Sequence, residues 1–123
     1  MPRRHHNLRT VSILPRFRIL WGEEIALGPG KVELLKAIAA TGSIAEAAKR
    51  MEMSYNRAWQ LVRTMNLCFP EALVESARGG ATGGGARLSA TGLRVLALYR
   101  RLEIESARAT YDAQEEIRTL LKK

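Results

Sequence analysis

The feature that most limits how this chain can fold lies between residues 31 and 67, where three amphipathic stretches are divided by connections of only a few residues. Over 31–41, Val32, Leu35, Ile38 and Ala39 recur at steps of three and four, which is one face of a helix. Thr41-Gly42 stops it, since glycine takes a left-handed cap without steric cost. Ser43 opens the next helix with Glu46 three positions on. In such a capping box each side chain satisfies an orphan N–H of the first turn. That second helix, 44–51, is short and small-faced, with Ala45, Ala47 and Ala48. Glu52-Met53-Ser54 leads into a third, capped by Ser54 and running to about Leu67, with Ala58, Leu61, Val62 and Met65 inward. A short helix and a longer one across a three-residue turn have the spacing of a helix-turn-helix, and the alanines permit the close crossing that unit needs.

The flanks extend this reading. Residues 1–15 are basic and polar and close at Pro15, as a mobile arm would. Arg-Phe-Arg-Ile-Leu-Trp at 16–21 alternates imperfectly and predicts a short strand. Pro29, within Gly28-Pro29-Gly30, suits the region just before a helix. After Pro70, residues 73–78 read as a strand, Gly79 to Gly85 as a loop and Ala86-Arg87-Leu88 as a second strand. A hairpin directly after a candidate recognition helix is a wing. Ser89 or Thr91 then caps a last helix from about Gly92 to Leu121, striped by Val95, Tyr99, Leu102, Ser106, Ala109, Ala113, Ile117 and Leu120. At 1.5 Å per residue it would span about 45 Å, more than so small a domain covers. Its outer part therefore asks for a partner, most simply the same helix of a second subunit. The expected architecture is mainly α with a small β wing: an arm over 1–15, a winged helix-turn-helix over 16–91 and a long C-terminal dimerisation helix over 92–123. The expected dimer interface is Val95, Tyr99, Leu102, Ala109, Ala113, Ile117 and Leu120.

Composition narrows the function classes. A chain of 123 residues is one domain by length, and no apolar run approaches the roughly 18 residues of a membrane span. The N-terminus lacks the apolar block of a secretory signal, so a cytoplasmic chain is expected. The net charge of +8, with Arg3, Arg4, Arg9, Arg16 and Arg18 all ahead of the first acid, Glu23, points to a polyanionic partner such as nucleic acid. A solubilising tail is the plainer alternative. A lone cysteine, Cys68, excludes an intrachain disulfide and a Cys-rich zinc site, and is expected to be a buried structural thiol. His5 and His6 are the only histidines, Glu115 and Glu116 sit in a charged helix, and neither a nucleophile elbow nor an H-E-x-x-H pair occurs. No enzyme activity, cofactor or metal is expected.

The third helix carries the candidate site. Arginine pairs bidentately with guanine, and asparagine or glutamine with adenine, so Asn56, Arg57 and Gln60 are the candidate base readers. Ser54 and Tyr55 suit phosphate, together with the N–H groups of the helix start. Arg63 and Thr64 share the polar face; an ordinary solvated face is the alternative. Trp59, beside Ala58 and Val62, is expected in the core. In the loop, Gly79, Gly80, Thr82 and Gly83 would let the backbone approach a phosphate, flanked by Arg78 and Arg87, or the loop is simply flexible. It lacks the Gly-Lys-Ser/Thr ending of a nucleotide-binding P-loop.

Thr41-Gly42-Ser43-Ile44-Ala45-Glu46-Ala47-Ala48-Lys49, Met53-Ser54-Tyr55-Asn56-Arg57-Ala58-Trp59, Met65-Asn66, Leu73-Val74-Glu75 and Ala86-Arg87-Leu88-Ser89-Ala90-Thr91-Gly92 together resemble the N-terminal domain of the molybdate-responsive regulator (ModE) family, over roughly residues 16–120. The Gly-Ser-Ile helix alone would indicate only the broader winged group that includes LysR-type regulators. The resemblance implies a winged helix-turn-helix that dimerises through flanking helices and binds a palindromic operator. It also implies that Ser54, Tyr55, Asn56 and Arg57 open the recognition helix and that Gly79 to Gly85 form the wing. Two departures accompany it. Full-length members carry C-terminal molybdate-binding domains, whereas this chain stops at Lys123, so direct molybdate binding is not expected. Ala81 stands where the family loop commonly has lysine, with Arg78 adding charge nearby, so a different operator is expected. The function expected is a sequence-specific transcriptional regulator acting as a homodimer on double-stranded DNA. The alternatives are a non-specific architectural DNA-binding protein, a protein-interaction module using the long helix and, last, an oxyanion sensor built on the glycine loop.

Overall fold

A computed structural model describes residues 11–77 and 85–123. Its elements are β1 (Ile19–Trp21), β2 (Glu24–Leu27), α1 (Pro29–Thr41), α2 (Ile44–Arg50), α3 (Tyr55–Leu67), β3 (Val74–Ala77), β4 (Gly85–Leu88), α4 (Ala90–Ala109) and α5 (Tyr111–Leu120). The first helix is the centre of the core. It starts with Pro29 at its first position and buries Val32, Leu34, Leu35, Ala37 and Ile38. Its inward face is wider than the stripe in the sequence, because α2, α3, α4, β2 and β4 all touch it; Ala39 is exposed. Each fully buried leucine or isoleucine here contributes about 1.5–3 kcal/mol.

The turns on either side of α2 are set by local chemistry. Gly42 adopts φ 75°, ψ 18° and its N–H donates to the Ile38 carbonyl (2.8 Å), closing α1. Ser43 then accepts the Glu46 N–H at 3.0 Å. Only that half of the expected capping box forms. The Ser43 N–H donates to Thr41 Oγ1 at 3.3 Å, and the Glu46 carboxylate reaches Lys49 at 3.8 Å instead. At the second turn Glu52 takes φ 57°. The Met53 N–H donates to the Ala48 carbonyl (2.9 Å) and the Glu52 N–H to that of Lys49 (3.0 Å), a Schellman closure with glutamate where glycine is usual. Ala47, Ala48 and Ala58 are all but fully buried where α2 crosses α3.

The wing is antiparallel, from Val74 opposite Leu88 to Ala77 opposite Gly85. Residues 78–84 lie outside the described residues, and with them the expectations placed on Arg78, Gly79, Gly80, Thr82 and Gly83; the same holds for residues 1–10 of the expected arm. Ser89, rather than Thr91, caps α4 by accepting the Gly92 N–H (3.0 Å).

The short strand expected within 16–21 forms at Ile19–Trp21 as half of a hairpin, and three other expectations are corrected. Gly22, at φ 63°, turns β1 into β2, which packs against α1 and α3 and buries Ala26 and Leu27. The long last helix is two helices. Thr110, at φ −107°, ψ 13°, separates α4 from α5, its hydroxyl donating back to the Ser106 carbonyl (2.7 Å), a competing bond of the kind that bends helices. The apolar stripe does not stay on one outer face either. Tyr99 is a core residue at 3% exposure, its hydroxyl donating to the Phe17 carbonyl (2.9 Å) and its ring meeting Phe17 edge-on. Cys68, at the C-terminal cap of α3, is half-buried rather than fully enclosed. Among the described residues no helix is long and apolar enough to cross a membrane.

Candidate nucleic-acid interface

The third helix begins at Ser54, whose Oγ accepts the Arg57 N–H at 3.0 Å. Ala58, Val62 and Met65 pin it to the core, and Leu61 packs beside them. With the inner face so fixed, the side chains about half a turn away face solvent. Asn56, Gln60 and Arg63 stand there, bordering one shallow groove. No acidic residue occurs on α3, and among the described residues neither Arg57 nor Arg63 forms an ion pair.

The fourth member of that groove is Trp59, 40% exposed, with its indole N–H donating to the Tyr55 hydroxyl at 2.8 Å. Its expected place in the core is thus overturned. The residue in phase with Val62 and Met65 is Ala58, one position earlier, and that phase was the signal that places Trp59 outside. The predicted set divides accordingly. Arg57 and Thr64 lie on the other flank of α3, facing Arg18, Glu24 and Lys31 across a second groove along the β1–β2 hairpin. The Thr64 hydroxyl donates to the Gln60 carbonyl (3.0 Å). Tyr55 is half exposed and borders the cleft between α3 and the wing. Arg87 is exposed on β4 and paired with Glu75 directly opposite (3.2 Å). A pair this exposed is worth less than about 1 kcal/mol, so Arg87 can exchange its carboxylate for another anion at little cost.

Asn66 is a positioning residue whose role no motif in the sequence marks. Its Oδ1 accepts the N–H groups of Leu73 (2.9 Å) and Val74 (3.2 Å), and its Nδ2 donates to the Val74 carbonyl (3.2 Å). The end of the third helix is thereby bonded to the first strand of the wing. From the other side, the Ala86 N–H donates to the Gly42 carbonyl (3.0 Å), and the Ser89 N–H to that of Leu73 (2.8 Å).

A capped helix pair crossing on alanines, a solvent-facing third helix without acids and a hairpin bonded beside it define a winged helix-turn-helix domain. No family model matches the chain. Among curated proteins it is 48% identical over 80 residues to the molybdenum transport protein ModE of Azotobacter vinelandii, covering 65% of this chain and 30% of that protein. It is 38% identical over 94 residues to the transcriptional regulator ModE of Haemophilus influenzae (76% of this chain, 37% of that one). Against the DNA-binding transcriptional dual regulator ModE of Escherichia coli K12 the identity is 42% over 77 residues (63% and 29%). The chain spans about a third of the length of these relatives. Among solved structures, the crystal structure of the CbnR DBD–DNA complex superposes with a TM-score of 0.56 at 22% identity, covering 72% of this chain and 95% of that one. Full-length CbnR complexed with its target DNA gives 0.52 at 22% identity (69% and 28%). The chain is thus a homologue of the ModE regulators over about two thirds of its own length, with the fold of the CbnR domain.

Proposed function

We propose that this chain is a sequence-specific DNA-binding transcriptional regulator, cytoplasmic and not an enzyme, which works as a homodimer with α3 in the major groove and the wing on neighbouring phosphates. The observation that carries this reading is the outward face of α3. Asn56, Gln60 and Arg63 stand together in solvent, on a helix that holds no acid. These side chains match the major-groove edges of adenine and guanine. Arg57 and Thr64 would serve the strand on the hairpin side, Ser54 and Tyr55 the phosphates at the helix start, and Arg87 a phosphate beside the wing. The sequence adds Arg78, Gly79, Gly80, Thr82 and Gly83 to the wing contacts. The names of the relatives support transcriptional control, with molybdenum transport as the process first to be examined. The dimer is supported by the apolar side chains left open on the last two helices: Leu102, Ile117 and Leu120 are 39%, 55% and 80% exposed. Ala109 and Ala113 are exposed between them, whereas Val95 packs partly against the core and Tyr99 is buried in it, so neither of these two carries that argument.

Selection of bound sequences from a random duplex pool at near-physiological salt tests the proposal. The expected product is an inverted repeat with half-sites about 34–36 Å apart, one per recognition helix. Tight binding without a motif, lost steeply as salt rises, would replace this reading with the architectural one. Absence of binding even at low salt would leave the interaction module.

A further inference from the structure

We propose that Trp59 reads thymine through its 5-methyl group, and is thus a specificity-determining residue of the interface. The inference rests on α3 being the recognition helix. Trp59 is the fifth residue of that helix, in the half that enters the groove in proteins of this architecture. It borders both openings on the DNA-facing side, the groove with Asn56, Gln60 and Arg63 and the cleft beneath the wing with Tyr55 and Val74. An indole has one polar atom, a donor, and here that N–H is already given to the Tyr55 hydroxyl at 2.8 Å. What Trp59 offers a partner is therefore apolar surface alone. Along the major groove the base edges carry donors, acceptors and a single apolar group, the thymine methyl. The surrounding amide and guanidinium side chains can serve the polar edges; the indole can serve only the methyl.

The Tyr55–Trp59 bond adds preorganisation. It joins residues one turn apart and holds the indole in one orientation before DNA arrives, so less side-chain entropy is lost on binding. The Tyr55 oxygen acts as acceptor in that bond, which leaves its own O–H to donate to a phosphate. One interaction thus fixes a base-facing ring and a backbone-facing hydroxyl together.

The test uses the full chain and the duplex selected by it, with each thymine replaced singly by uracil, which keeps base pairing and removes only the methyl. Wild type is expected to lose about three- to tenfold in affinity at one or two positions of each half-site, the scale of one buried methyl. Trp59→Ala is expected to bind the thymine and uracil duplexes equally at those positions, and Trp59→Phe to show an intermediate response. Specific binding that no uracil alters, or a uracil effect undiminished in Trp59→Ala, overturns the proposal and leaves the recognition helix intact. A chain that favours no duplex over random sequence overturns the recognition-helix reading itself, and the proposal with it. The uracil scan on wild type stands even if Trp59→Ala fails to fold.

Discussion

Asn66→Ala cuts the joint between α3 and the wing, and its cost can be worked from the structure. The amide makes three hydrogen bonds, two of them accepting from the N–H groups of Leu73 and Val74. Those residues are 0% and 5% exposed, so the orphaned donors have little access to water. Each stranded buried donor costs about 1–3 kcal/mol. Relaxation that lets water reach one of the two lowers the sum, and the expected loss is about 2–4 kcal/mol. Against a total stability of roughly 5–15 kcal/mol this is a large fraction. For a domain of this size it lowers Tm by roughly 8–16 °C. Thermal and urea unfolding followed by circular dichroism measure it, with an unchanged urea m value showing that the unfolded state is not what moved. Asn66→Asp keeps an acceptor for both N–H groups and loses the donor to the Val74 carbonyl, so its stability is expected between wild type and alanine. An alanine variant within about 0.5 kcal/mol of wild type would refute the reasoning, as would an aspartate variant no better than alanine.

Other perturbations probe the remaining joints. Gly92→Ala would set a Cβ 2.3 Å from the Leu73 carbonyl oxygen, backbone that already accepts from Ser89; a loss of about 2–3 kcal/mol is expected in the same unfolding assay. Gly30→Ala, with nothing within 4 Å, is expected instead to stabilise by about 0.4–1 kcal/mol, and equal effects at the two glycines would contradict the packing argument. Glu52→Gly relieves the left-handed conformation of the helix-turn-helix turn; after the gain in unfolded-chain freedom, about 0.5–1 kcal/mol of stabilisation is expected in urea titration. Tyr99→Phe removes a hydroxyl that donates to the Phe17 carbonyl and accepts its N–H, and is expected to cost about 1–2 kcal/mol while freeing the residues ahead of β1 to exchange amide hydrogens faster.

The helices were legible because their signals are local. Gly42, Ser43, Ser54 and Ser89 act within a few residues of themselves, and three- and four-residue apolar steps give the inner faces directly. What stayed hidden depends on partners distant in sequence or on competition too fine for periodicity. The second strand, Glu24-Ile25-Ala26-Leu27, is too short for an alternation to stand out, and it is its pairing with β1, on the surface of α1 and α3, that makes it a strand. No proline or glycine marks the break at Thr110, where a hydroxyl bonds a carbonyl one turn back. Trp59 reads as core from its neighbours Ala58 and Val62, whereas phase with Val62 and Met65 selects Ala58. In the candidate site Asn56, Gln60 and Arg63 were readable as a polar face, but the separation of Arg57 and Thr64 onto the hairpin side required knowing what packs against α3. Asn66 reads as one more polar residue until the backbone it bonds is in place.

These hidden contacts have a common consequence for specificity. An isolated hairpin of four-residue strands is marginal in water, so the wing cannot hold its own position. Here the Asn66 amide fastens it to α3 and the Gly42 carbonyl to the turn between α1 and α2, while the Ser89 N–H and hydroxyl, both donating to the Leu73 carbonyl, join its two ends. A helix and a wing held in fixed relation can demand that a base contact and a phosphate contact be met together, which a loose pair cannot. Two kinds of variant should therefore differ in their signature. Asn66→Ala, measured at a temperature where it remains folded, is expected to weaken binding to the selected duplex more than to random duplex. Arg87→Ala, which removes an exposed charge and its weak pair with Glu75, is expected to weaken both alike and to reduce the salt slope by about one. Equal discrimination in wild type and Asn66→Ala would mean that the recognition helix specifies the site without the wing, and that these joints serve stability alone.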